Sequence, residues 1–487
     1  MDPYPCNRVI ANVLFKTSYL ESWGNTKKIL HKNKCTTTDR KIGRFEKNNI
    51  TNTLSNIMVK SQLKIKGTPS SALLGATLGF FFGVMAISLF GPTSTTLGAA
   101  MGLGATELGL LVSVPSLTGS LLRIPFGAMV DTNGGRRGFL FLLAAAVLGL
   151  GALSILFTLY PVETPGSMTG LYPIVLLLGC LAGCGIATFS VGASQSNYWF
   201  AKSRQGYASG IYGGLGTTSA GILAFALPLL LHRFGFTAAY YILTGVMLLG
   251  FLLYIWLGAN PPYFQFLKAG KSAEVARDNA LACGQELFPK GNAATSLKIS
   301  ARIPQTWMLV LCYFTTFGGF MALTAWFPTF WKKGMGLDPM LAGGLTAAFS
   351  ILAALLRVPG GRLSDRIGGE KVSMGALALL AVAGLLMNIP MGWVGLFFVS
   401  LLIAVAFGFN NGATMKLVPV YVSEGVGGAN GWVGGLGAFG GFVFPPMMGR
   451  LVDLSPTNGY GLGFLLFTGF AVLVMVINYF GMMRNKS

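Results

Sequence analysis

Two stretches of the chain set an arginine inside an apolar run and follow it with proline, glycines, an aspartate and basic residues. They read LLRIPFGAMVDTNGGRRG at 121–138 and LLRVPGGRLSDRIGGEKV at 355–372. The arginines, Arg123 and Arg357, stand 234 residues apart (357 − 123). An arginine at the centre of a membrane-embedded helix costs roughly 2.5–3.5 kcal/mol, so the pair costs on the order of 5–7 kcal/mol unless it is compensated. A carboxylate at depth would compensate it. All fifteen acidic residues, however, fall in the first 66 residues, in loops or near the ends of apolar runs. Glu107 opens such a run, and Asp131 and Asp365 end two of them. Two readings remain: the arginines snorkel or bond backbone carbonyls, or they form an anion site whose counter-charge is the ligand. Planar bidentate donors suit a planar oxyanion, which favours the second.

Other residues fall near the middle of apolar runs: Phe189, Thr217, Tyr313, Phe317, Asn410 and Asn411. Taken singly, each aromatic reads as core filler. Tyr313 and Phe317 lie one helical turn apart, so they share a face on which they could wall one cavity. The two aspartates have a different setting. Each follows a glycine by four residues, Gly127 before Asp131 and Gly361 before Asp365, and precedes a glycine pair and basic residues, Arg136 among them; Arg366 directly follows Asp365. That spacing reads as a tight turn in which aspartate pairs with Arg or Lys across helix ends and latches one state of a moving bundle. Neither aspartate is expected to carry a proton.

Composition limits what can position these groups. The chain of 487 residues is 53% hydrophobic and 10% charged, where a soluble domain carries about 25% charged residues. Glycine makes up 68 of the 487, twice the usual roughly 7%. Low charge with abundant small residues implies a polytopic helical membrane protein and excludes a soluble enzyme. Cys6, Cys35, Cys180, Cys184, Cys283 and Cys312 show neither metal-ligand nor disulfide spacing, and His31 and His232 build no metal centre. No metal and no cofactor is expected, and without a phosphate-binding loop neither is ATP-driven pumping.

Twelve apolar runs are long enough to cross a hydrocarbon core of about 30 Å: 71–97, 106–130, 138–160, 171–197, 207–231, 236–258, 304–331, 340–363, 371–391, 393–422, 428–450 and 460–483. Counting outside the leader and Arg123 and Arg357, the loops on one side hold sixteen Lys and Arg and the other side four: Arg233, Lys332, Lys333 and Arg450. The positive-inside rule then puts both termini in the cytoplasm. YGGLG at 212–216 is echoed by VGGLG at 433–437, an offset of 221, close to that of the arginines. Two matches at corresponding spans argue for parallel duplication of a six-helix unit. Gly206, Gly210 and Gly214, with Gly427, Gly431 and Gly435, give both members a stripe for close helix packing.

The expected fold is therefore an all-α membrane protein of twelve transmembrane helices in two six-helix bundles, 67–258 and 304–487, joined by a cytoplasmic linker at 259–303. Residues 1–66 form a basic leader with 13 Lys/Arg against 4 Asp/Glu, which accounts for +9 of the net +20. The excess therefore does not point to nucleic acid. With a second candidate start at Met58, the leader reads as a start-site artefact, a disordered tail or a targeting segment.

Gly-x-x-x-Asp with trailing glycine and basic residues, on twelve spans in two halves, resembles the major facilitator superfamily. LLRIPFG, LLRVPGGRLSDRIGG, ATFSVGASQSNYWF at 187–200, GIYGGLG and GWVGGLGAFGGFVFPP resemble its nitrate/nitrite porter family over roughly 70–485. The resemblance implies a clamp of Arg123 and Arg357 on the anion, stacking by Phe189 and Phe317, and a hydroxyl donated by Tyr313. Gly213 and Gly434 would allow close approach, and Asn411 joins the expected binding set. Thr217 stands where the family usually has asparagine, which bears on selectivity among small anions. The function expected is alternating-access carriage of nitrate and nitrite, by exchange, as a monomer in the cell membrane. Proton-coupled symport, a carrier of another small anion such as formate, and a substrate-sensing receptor are the alternatives.

Overall fold

The computed structural model describes residues 65–201, 204–289, 293–422, 426–456 and 458–484. The leader expected over 1–66 lies outside the described residues except for its last two. The described chain is helical throughout, without a strand.

Among the described residues, eleven helices are long and apolar enough to cross a membrane. In chain order, spans 1 to 6 are Pro69–Ser88, Ala105–Asn133, Arg136–Leu159, Tyr172–Trp199, Ala208–Phe234 and Phe236–Leu257. Spans 7 to 10 are Pro304–Gly334, Pro339–Ile367, Gly369–Leu386 and Gly392–Tyr421, and span 12 is Gly459–Met483. Span 11 is interrupted, running as Val426–Ala438 and Gly440–Leu454. Twelve crossings thus form two six-helix halves, which meet where span 2 packs on span 11 and span 5 on span 8. Between the halves run three short helices, Pro262–Lys268, Ala273–Ala282 and Ala293–Ala301. Span 7 is the most enclosed, 83% of its apolar window being buried, against 28% for span 12 at the periphery. Trp256, Leu148 and Phe398 lie exposed on the outer helices, as a bilayer allows.

Span boundaries shift by up to five residues from the sequence reading, and the end of span 1 shifts by more. Span 1 ends at Ser88 instead of 97, because Gly91 and Pro92 interrupt the apolar run and a separate helix, Ser94–Met101, follows. Proline offers no N–H and clashes with the preceding turn, so an apolar run can outlast its helix.

Both arginines sit at an interruption of their helix. Spans 2 and 8 are each broken for a single residue, at Leu122 and Leu356, and each resumes with its arginine. Pro125 and Pro359 explain the symmetry. Neither can donate to the carbonyl four residues back, that of Leu121 or Leu355, so the ladder opens one step before each guanidinium. Span 7 is widened by a π turn at Phe314–Gly318.

Candidate anion site

The two arginines converge from opposite halves. Arg123 is fully buried, and its Nη1 donates to the carbonyl of Gly434, on span 11, at 3.0 Å. Arg357 Nη2 donates to the hydroxyl of Tyr313, on span 7, at 3.0 Å. Three guanidinium nitrogens are buried without a hydrogen-bond partner among the described residues: Nε and Nη2 of Arg123 and Nη1 of Arg357.

Two rings complete the centre. Phe189 of span 4 and Phe317 of span 7 face each other with centroids 6.0 Å apart and planes 27° from parallel. The Arg123 guanidinium lies 4.8 Å from the Phe189 centroid and 5.1 Å from that of Phe317. The corresponding distances for Arg357 are 5.8 and 5.1 Å. Each half thus gives one arginine and one phenylalanine. A cation over a ring face gains about 0.5–2 kcal/mol. Ring faces accept no strong hydrogen bond, so they leave the three nitrogens unsatisfied. Tyr313 stacks on Phe317 at 4.7 Å and 13°, so its hydroxyl holds Arg357 from the side.

Glycines leave room beside these groups. A Cβ on Gly213 would sit 3.8 Å from Phe189 Cε2 and 4.0 Å from Arg357 Nη2; one on Gly434 would sit 3.7 Å from Ser190 Oγ. Ser190, absent from the sequence-based set, therefore borders the site. So does a second aromatic layer behind Phe189. Phe80 lies 5.3 Å from the Phe189 ring and 5.1 Å from that of Tyr212, which donates to the Thr188 carbonyl at 2.8 Å. Tyr212 opens the repeated YGGLG motif, which could have drawn attention to it; Phe80 sits in an apolar run without a distinguishing signal.

Two expected residues have partners on the protein, Thr217 through its hydroxyl hydrogen and Asn411 through its amide oxygen alone. The Thr217 hydroxyl donates to the carbonyl of Gly213 on its own helix at 2.7 Å. Asn411 accepts from Thr316 at 2.8 Å, inside the second half.

Of the turn aspartates, Asp365 pairs with a lysine of another helix as expected, and Asp131 does not pair with a cation among the described residues. Asp131 accepts from the Tyr198 hydroxyl at 2.6 Å, while Arg136 donates to the carbonyls of Gly258 and Ile255 at 2.8 and 2.9 Å. A cation at the carbonyl end of span 6 is favoured by the helix dipole, and this draws Arg136 away from Asp131. Asp365 forms an ion pair with Lys416 of span 10 in place of the exposed Arg366. Both aspartates are tied within their own half. At Gly127 an added Cβ would meet Ser190 at 3.1 Å, whereas Gly361 faces open space.

Hydrogen bonds between the halves gather instead at the opposite end. Asp453, ending span 11, accepts from the backbone N–H groups of Ala105 and Thr106 at 2.9 and 2.8 Å and from the Thr106 hydroxyl, at the start of span 2. Lys332 donates to Thr95 at 2.6 Å, and Ser94 and Thr329 share a bond of 2.7 Å. A carboxylate on the exposed N–H groups of a helix start is a favourable charge–dipole pairing. Gly109 and Gly449 bring spans 2 and 11 into backbone contact here, against Pro445 and Ala105.

Two six-helix halves that both contribute to a central cationic, aromatic-walled site define a multi-pass membrane carrier. Residues 76–445 match the Major Facilitator Superfamily. A nitrite extrusion protein of Bacillus subtilis is 30% identical over 417 residues, covering 85% of this chain and 94% of that one. A protein of Mycobacterium tuberculosis H37Rv named "Probable nitrate/nitrite transporter NarK2" is 30% identical over 390 residues, 79% of this chain and 90% of that one. The fold matches the xylose transporter XylE of E. coli with a TM-score of 0.62 at 16% identity, over 85% of this chain and 100% of that one. The chain belongs to the nitrate/nitrite porter family of the Major Facilitator Superfamily, and is a transporter and not an enzyme.

Proposed function

We propose that the protein exchanges nitrate for nitrite across the cell membrane, binding either anion between Arg123 and Arg357. The observation that carries this reading is the set of three buried guanidinium nitrogens without a partner among the described residues, drawn from both halves and walled by Phe189 and Phe317. A flat monoanion presents acceptors in its own plane and π density to the rings, so it can satisfy donors that neither half satisfies alone. The names of the two relatives supply the candidates, nitrate and nitrite.

Charge suggests exchange. An empty centre holds two guanidinium groups without counter-charge, which opposes closure of both ends around it; a bound anion relieves this. Anion entry into a cell with a negative interior is opposed by about 2.3 kcal/mol per 100 mV. Swapping one monoanion for another moves no net charge, and the carrier crosses loaded each time. Cytoplasmic termini, as the basic loops imply, would make the end sealed by Asp453, Lys332 and Ser94 the outer one.

Uptake of labelled nitrate into proteoliposomes tests the substrate. Excess unlabelled nitrite should abolish it and equal formate should leave it intact. Formate competing as well as nitrite would replace the reading with a small-carboxylate carrier.

A further inference from the structure

The π turn of span 7 sets the two aromatic residues of that span that touch the arginines. Tyr313 immediately precedes it and Phe317 lies within it. A π turn is rare, weakens the i→i−4 ladder and persists only where its surroundings hold it. Here the surroundings are polar on one side. Asn410 of span 10, fully buried, donates from Nδ2 to the Thr316 hydroxyl at 2.9 Å and accepts from Ser373 of span 9 at 2.6 Å. The Thr316 hydroxyl lies 2.9 Å from the carbonyl of Cys312 and 2.8 Å from Asn411 Oδ1. Thr315 donates to the Leu311 carbonyl at 2.9 Å. On the other side the turn rests on the break in span 11. An added Cβ on Gly437 would lie 2.7 Å from that of Tyr313, and one on Gly318 would lie 2.6 Å from Gly440 Cα.

Within the described residues, none of these bonds from Asn410 or Thr316 reaches an arginine. They act on the angle that span 7 gives its rings. Relaxation of 314–318 to an ordinary helix would remove one residue from the turn and rotate Phe317 relative to Tyr313. The ring would then leave both guanidinium groups, or the Tyr313 hydroxyl would leave Arg357. Buried amide networks of this kind are worth retaining only when fully satisfied, and Asn410 uses both its amide oxygen and its amide nitrogen.

We infer that Asn410, acting through Thr316, is a positioning residue for anion recognition: it fixes the wide turn that sets Tyr313 and Phe317 against Arg357 and Arg123. The inference rests on the reading of that centre as the nitrate/nitrite site. It predicts a change in affinity rather than in turnover.

The test uses the full-length protein in proteoliposomes, with Asn410→Leu, Thr316→Val, and each combined with Phe317→Leu. Either single variant should raise the nitrate KM about tenfold and leave the maximal rate within about twofold. Because part of the effect passes through Phe317 and the rest through Tyr313, adding Asn410→Leu to Phe317→Leu should raise KM by clearly less than the roughly tenfold expected in the wild-type background. Hydrogen exchange of the same variants should accelerate at 311–319 and not elsewhere in span 7. An unchanged KM, a loss of rate alone, or equal effects in both backgrounds would overturn the inference. If Asn410→Leu does not fold, Thr316→Val carries the same prediction. A wild-type protein without nitrate flux would refute the substrate and leave hydrogen exchange to decide: unaltered protection at 311–319 would sink the positioning role by itself.

Discussion

The Arg123 guanidinium donates to the Gly434 carbonyl across the interface between the halves, 3.0 Å from nitrogen to oxygen. The arginine that faces the proposed anion is therefore also a bond between the bodies that must move apart. Its other two nitrogens have no partner among the described residues, so an anion adds to this contact without displacing it.

Replacing either arginine by lysine keeps the charge and removes the planar fork. A hydrogen bond to a charged group contributes about 1.5–3 kcal/mol, so Arg123→Lys and Arg357→Lys should each raise the nitrate KM by about 10- to 100-fold. Concentration-dependent uptake measures this. Lysine variants with unchanged KM would show that the charge alone suffices.

Two glycines on span 5 should respond differently to alanine. At Gly213 the new methyl group has ordinary clearance from Phe189 and Arg357, so the protein should fold normally and lose nitrate affinity. At Gly216 it would run into the Phe80 ring; overpacking of this sort costs about 1–3 kcal/mol. Thermal stability of the purified variants should fall for Gly216→Ala and hold for Gly213→Ala.

Thr217 donates to its own helix at Gly213. Thr217→Val should therefore leave the nitrate KM within about twofold, since no bond to the anion is lost. A larger rise in the uptake assay would mean that the hydroxyl turns toward the anion during the cycle.

The seal around Asp453 makes a conformational prediction. Removing a capping side chain costs about 0.5–2 kcal/mol, enough to shift a two-state balance several-fold. A cysteine placed at Ser94 should react faster with an impermeant maleimide added on the outside when Asp453→Ala is present. Equal rates would place the closing contacts elsewhere, at Lys332 and Thr95 for instance.

The arginines, the spans and the repeated glycine motif are legible in the sequence because each departs from its background: a charge in an apolar run, a length, a duplicated string. What is not legible depends on geometry that a string does not encode. Gly91 and Pro92 are helix breakers by type, yet Pro115 sits inside span 2, so the string alone does not place the end of span 1 ahead of them. Thr217 is polar at the expected depth, yet a hydroxyl can bond its own helix. Asp131 is five residues from Arg136, but the carbonyl end of span 6 competes for that cation. Nor does anything in PQTWMLVLCYFTTFGG mark a π turn, which is contacted by Asn410 and Gly437 from distant segments.

The most direct test of the central claim is labelled nitrate influx into proteoliposomes, without a pH gradient, with nitrite trapped inside or absent. Electroneutral exchange predicts influx that rises with internal nitrite, is negligible without it, and is insensitive to an imposed membrane potential. Equal influx into empty vesicles, driven by potential or by an added proton gradient, would contradict it.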